Sequence, residues 1–137
     1  RSNEQQQKTF SVRKGDIFFT RTSENIEEVG MATVCKHTIE KAVFSGFVIR
    51  CRPYRTLVDI DYMKYYLKIP AIRNHFSSMM NIVIRASLGQ NLLKQMPVVI
   101  PPMNEQKEIA AYLDIQHEKY AKIIETIKKE REVLDEV

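Results

Sequence analysis

The chain has 137 residues, 44% hydrophobic and 28% charged, with a net charge of +4, the composition of one ordinary globular domain with a modest core. No apolar run approaches a membrane span, and the polar start from Arg1 to Lys8 lacks the apolar segment of a secretory signal, so a cytoplasmic protein is expected. Residues 1–102 hold 15 Lys/Arg against 8 Asp/Glu, while residues 103–137 hold 6 against 9; a basic body joined to a mildly acidic end suggests a polyanionic partner, although proteins that never meet nucleic acid share such an excess.

In chain order, residues 1–9 are polar and expected to be flexible. Phe10-Ser11-Val12 and Asp16-Ile17-Phe18-Phe19-Thr20 read as strands around a Lys14-Gly15 turn. A polar, acidic loop runs from Arg21 to Glu28, and Val29 to Cys35 is extended with Gly30 marking a bend or bulge. Ala42 to Cys51 reads as one buried strand emerging into Arg50, Arg52 and Arg55. Asp59 can cap a helix bearing Ile60, Met63 and Leu67. Pro70 ends it, and Ala71 to Met80 forms the next helix. Ile82-Val83-Ile84 is a short strand, Arg85 to Gly89 a loop, and Gln90 to Gln95 one or two helical turns. Met96 to Ile100 reads as a last apolar strand, stopped by Pro101-Pro102.

Beyond the prolines, Asn104 is a good N-cap, and Glu105 and Glu108 put negative charge in the first turn of a helix. No Gly or Pro interrupts the chain from Asn104 to Val137, a stretch that would span ~50 Å as a helix. Stepping by four and three residues gives Ile109, Leu113, Gln116, Tyr120, Ile123, Ile127, Glu130, Leu134 and Val137, a coiled-coil seam with two polar interruptions. Its partner could be another segment or another chain; packing along its own domain is the alternative. The fold class is therefore α+β: a globular domain of short strands and helices over 10–102, followed by one long coiled-coil helix over 103–137.

Catalytic chemistry finds little footing in these residues. His37, His75 and His117 are scattered without metal-ligand spacing, and four glycines form no phosphate-binding loop. Asp59 is better explained as a helix cap than as half of an acid pair with Asp61. Ile100-Pro101-Pro102-Met103 lacks the Asn or Asp and the aromatic of a methyltransferase motif. Cys35 and Cys51, without metal-ligand spacing, favour free thiols of a reducing compartment over a disulfide. No enzyme activity, metal or cofactor is expected. A binding surface remains. Thr20, Arg21, Thr22 and Ser23 follow a strand end, Arg50 and Arg52 alternate to one side of a strand exit, and Asn81, Arg85, Ser87, Gln90 and Asn91 form a polar cluster. Arg, Asn and Gln make the bidentate contacts that read guanine and adenine in the major groove, though such side chains also cap helices and satisfy backbone groups.

Several segments together resemble the target-recognition domain of type I restriction-modification specificity subunits: Lys14 to Ser23, Glu28 to Ala32, Phe44 to Arg50, Tyr62 to Leu67, Ile84 to Leu88, and Met96 to Pro102 followed by Glu105 to Ile109. The Pro-Pro junction with Glu-Gln two residues on is the most specific piece. The resemblance implies a non-catalytic subunit that recognises duplex DNA, with Thr20–Ser23 and Arg85–Gln90 facing the bases. In that family two such domains sit at the ends of an antiparallel coiled coil, read a bipartite target, and dock modification (methyltransferase) subunits, with restriction/motor subunits adding cleavage. Ile109, Leu113, Tyr120, Ile123, Ile127 and Leu134 would form the spacer seam. The family has two domains and two helices, and its domain begins before the Lys-Gly-Asp-Ile segment. This sequence has one of each, so a fragment or a half-length subunit that homodimerises through its helix is expected. The alternative is a coiled-coil assembly or adaptor protein whose basic surface does not bind specific DNA.

Overall fold

The computed structural model describes residues 2–79 and 87–135. Helix α1 (Glu4–Thr9) stands where the sequence predicted no element, closed by a capping box in which Asn3 Oδ1 accepts the Gln6 N–H and Gln6 Oε1 accepts the Asn3 N–H. Strands β1 (Ser11–Val12) and β2 (Ile17–Thr20), a 3-10 turn at Ile26–Glu28, and β3 (Ala32–Val34), β4 (Ile39–Val43) and β5 (Val48–Cys51) follow. Then come α2 (Ile60–Tyr66), α3 (Pro70–Met79), α4 (Gln90–Lys94) and α5 (Met103–Asp135).

The strands form two small antiparallel sheets, one in the order β3-β2-β5 and the other pairing β1 with β4. The predicted single strand over Ala42–Cys51 is therefore two strands in different sheets. Ser45 to Phe47 break it: the Val48 N–H returns to the Ser45 carbonyl and the Phe47 N–H to Ser45 Oγ. β2 is the central strand. Its alternation buries Ile17 and Phe19 and leaves Phe18 and Thr20 half-buried, so one face belongs to the core and the other to a smaller aromatic cluster. On that second face Phe44 meets the rings of Phe10 and Phe18 edge-on, and the Arg50 guanidinium lies 5.2 Å from its centroid.

The core joins β2 to the helices through Ile17, Phe19, Val29, Tyr62, Met63, Leu67, Ile72, Phe76, Leu88 and Ala110. Phe19 and Phe76 pack edge to face with centroids 6.2 Å apart, a favoured aromatic geometry. Gly30 passes above them at φ +79, where a Cβ would stand 2.9 Å from the Phe76 ring; both the left-handed backbone and the close approach require glycine. Cys35 and Cys51 are free.

Asp59 caps α2 as its position predicts, accepting the N–H groups of Asp61 and Tyr62, and Pro70 takes the first position of α3, where its missing N–H costs nothing. The apolar run Met96–Ile100 is not a strand, contrary to expectation. It lies across α2, and two tyrosines supply the hydrogen bonds a neighbouring strand would: Tyr66 donates to the Pro97 carbonyl and accepts the Val99 N–H, while Tyr62 donates to the Val99 carbonyl. Burial, with the Glu105 charge behind it, holds the Tyr62 phenol above its usual range.

Helix α5 begins at Met103, one residue before the predicted cap at Asn104. Gln106, to which sequence reasoning gave no structural role, joins the helix to the domain. Its side chain is fully buried; Nε2 donates to the carbonyls of Leu57 and Pro101, and Oε1 accepts the Asp59 N–H at 2.8 Å. One turn on, Ala110 is in the core and Ile109 packs against it. A further turn on, Asp114 accepts from Lys64 Nζ at 2.6 Å and from the Tyr65 hydroxyl at 2.5 Å. These two bonds hold its carboxyl below the usual range, and the bond to Asp114 raises the Tyr65 phenol. The first three turns of α5 thus belong to the globular core, and the seam divides. Ile109 and Leu113 are half-buried against the domain, whereas Tyr120, Ile123, Ile127 and Leu134 are exposed.

Candidate nucleic-acid interface

At the C-terminal end of β2 three segments distant in sequence are tied together. The Arg21 N–H donates to the Phe47 carbonyl at 2.7 Å, and the Arg21 carbonyl accepts the Leu88 N–H at 2.7 Å. Thr22 and Ser87 form an antiparallel bridge. Leu88 is fully buried in the core, which fixes the loop that displays Ser87 and the start of α4 that displays Gln90 and Asn91, all exposed. The predicted set Thr20–Ser23 is thereby brought beside Ser87, Gln90 and Asn91 on one edge of the molecule. Asn81 and Arg85 lie outside the described residues.

Arg21 and Gln90 face an open groove of about 740 Å³, whose other walls include Gln6, Phe44, Ser45 and Arg50. Ser23 is oriented by its own loop, donating to Glu28 Oε2 at 2.6 Å and accepting the Asn25 N–H. The groove therefore mixes one exposed guanidinium with amides and hydroxyls, groups that can bond to phosphates and to base edges.

Arg50 and Arg52 do point to one side, as their alternation predicts: both donate to the Ser11 carbonyl, Arg50 at 2.7 Å and Arg52 at 3.2 Å. They are also building elements. Arg52 forms a two-pronged pair with Asp16, Nε to Oδ1 at 2.6 Å and Nη2 to Oδ2 at 2.7 Å, while the Arg13 N–H donates to Oδ2. Asp16 is fully buried. Burial pushes its carboxyl up, but the Arg52 and Arg13 hydrogen bonds with the charges of Arg52 and Arg50 outweigh that and hold it below the usual range. The same bond to Asp16 raises Arg52. A carboxylate more acidic when folded than when unfolded stabilises the fold above its unfolded value, about 3.9, and that stability is lost as the pH falls through 3.9 toward the lower native value. Asp16→Asn should cost about 2 kcal/mol at neutral pH, because the new amide N–H faces the Arg52 donors. Urea unfolding at several pH values should also show the variant losing less stability than wild type below about pH 4.

Sequence reasoning missed Asp16, Phe47 and Gln106. Asp16 precedes β2 on the face of Phe18 and Thr20, its buried carboxylate requires a cation, and three arginines lie ahead at Arg50, Arg52 and Arg55. Gln106 stands four residues into the helix after the prolines, with a period that turns it toward the domain.

Among the described residues no group of three His, Cys, Asp or Glu side chains is arranged to hold a metal ion, and none of their helices is long and apolar enough to cross a membrane. Residues 1–134 match the family of type I restriction modification DNA specificity domains, and the chain belongs to that family. It is 27% identical over 122 residues to a Methanocaldococcus jannaschii protein described as a type I restriction enzyme MjaX specificity subunit. That match covers 88% of this chain and 28% of the relative, so the chain spans less than a third of the relative's length.

Proposed function

We propose that this chain recognises duplex DNA by sequence, as the specificity element of a type I restriction-modification complex, and leaves methylation and cleavage to modification and restriction/motor subunits. Residues 10–102 act as the recognition domain and 103–137 as the spacer helix. The observation that carries this is the joining of Thr22 to Ser87: two polar loops 65 positions apart in the sequence are tied into one display surface beside Arg21 and Gln90. Family membership supplies the kind of ligand that such a surface serves. In this reading Arg21, Thr22, Ser23, Ser87, Gln90 and Asn91 meet the DNA. Arg50 lines the groove, and the charges of Arg50 and of Arg52, which is held by Asp16, add to its potential.

The exposed apolar stripe of α5 pairs with a second helix of the same kind, either in another copy or in a further repeat, so that two recognition domains address the halves of a bipartite target. The complex works in the cytoplasm, where its DNA is.

Binding to a random-sequence duplex pool at two salt concentrations tests this proposal. Selective binding that weakens steeply with salt is expected. Absent or salt-insensitive binding by folded protein would overturn it in favour of a coiled-coil assembly protein, for which the exposed stripe alone would suffice. Arg21→Ala should weaken binding about tenfold, on the scale of one lost charged contact, with the melting temperature unchanged because the side chain is exposed.

A further inference from the structure

Phe47, in the turn between β4 and β5, is 65% exposed on a backbone that is firmly held. Its carbonyl accepts the Arg21 N–H at 2.7 Å, its N–H donates to Ser45 Oγ, and the next residue, Val48, pairs with Thr20 on β2. A lone exposed apolar side chain is ordinary, but the surroundings of this one are specific. The ring shares an open recess of about 280 Å³ with Thr22, Ser23 and Glu24, and Thr22 is the residue bridged to Ser87. An aromatic group is thus presented from a fixed backbone amid the hydroxyls of the proposed interface.

We infer that Phe47 is a base-contacting, specificity-determining residue of that interface. The inference rests on the DNA reading and adds a contact that polar residues cannot supply. A phenyl ring offers nothing to a phosphate, and Glu24 beside it repels one. The parts of duplex DNA that reward an apolar side chain are the thymine methyl group in the major groove and the face of a base step opened by a wedge. Fixing the backbone on both sides of the ring lowers the entropy lost when it is buried against a base. Phe47 therefore supplies affinity that depends on sequence and not on salt, while Arg21 supplies the part that depends on salt.

The test uses the 137-residue chain and its Phe47→Ala variant, with affinities referred to the folded fraction measured by circular dichroism. Both are selected against a random duplex pool and then titrated on the wild-type preferred sequence at two salt concentrations. Phe47→Ala should bind that sequence roughly five- to twentyfold more weakly, lose preference at one or two base pairs, and keep the wild-type slope of affinity against salt. A variant with wild-type affinity and preference overturns the inference and leaves the DNA reading standing. A loss that is uniform across sequences with a shallower salt slope also overturns it, since Phe47 would then be shaping the phosphate-binding backbone. A wild-type chain without sequence preference overturns the DNA reading itself, and the role of Phe47 with it.

Discussion

Replacing Gln106 with leucine should destabilise the protein by about 4 kcal/mol and lower its melting temperature by roughly 12 °C. The side chain is fully buried and makes three hydrogen bonds, two donated to the Leu57 and Pro101 carbonyls and one accepted from the Asp59 N–H. Leucine has similar bulk and no polar atoms, so it would fill the space and leave three backbone groups unpaired, each at roughly 1–3 kcal/mol. Glutamate should be worse, because it cannot donate to the two carbonyls and brings a buried negative charge. The consequence reaches function. Gln106 ties the start of α5 to the segment before α2, and that tie aims the long helix relative to the groove. Thermal unfolding followed at 222 nm measures the first effect, and faster proteolytic cutting near Pro101 would register the second. A leucine variant as stable as wild type would show that α5 is held by Ile109, Ala110 and Asp114 alone.

Local chemistry made the helices readable. Asp59, Pro70 and the uninterrupted stretch after Pro102 each mark a helix end or a helix run by a property of one or two residues. Strand β2 was equally open, since Ile17-Phe18-Phe19-Thr20 is a run of β-prone residues that follows the Lys14-Gly15 turn. The features that eluded sequence reasoning depend on partners far along the chain. Met96–Ile100 has the composition of a strand, and only the hydroxyls of Tyr62 and Tyr66, over thirty positions earlier, take the place of the missing neighbour. Arg52 reads as a free cation until Asp16 is placed beneath it. The break at Ser45–Phe47 is a local turn, but the apolar residues around it conceal it. At the candidate interface the two loops could be nominated from their polar content, whereas their adjacency is a tertiary fact carried by Arg21, Thr22, Ser87 and Leu88. Exposure of Phe47 follows from that same geometry.

Ile123→Asp should abolish pairing of the long helix while leaving the globular domain folded. Helix α5 leaves the domain after its third turn, and from there Tyr120, Ile123, Ile127 and Leu134 stay between 44% and 74% exposed. Most of a helix's stability in a protein comes from packing its amphipathic face rather than from propensity, so the stripe gains its worth from being covered. In an antiparallel pairing of two copies, setting residue 123 of one helix against residue 127 of the other also sets Tyr120 against Glu130, where a phenol can donate to a carboxylate. The seam then maps onto itself, and an aspartate introduced at 123 is buried against isoleucine at two places in each pair. At several kcal/mol for each unpaired buried charge, association should weaken by at least about a thousandfold. Sedimentation of wild type and variant at matched concentrations measures this, with the melting temperature of the domain as control. A wild type that sediments as a monomer would reject self-pairing, and the same variant would then be read by its failure to bind a further repeat of the family. A variant that associates as tightly as wild type would remove position 123 from the seam altogether.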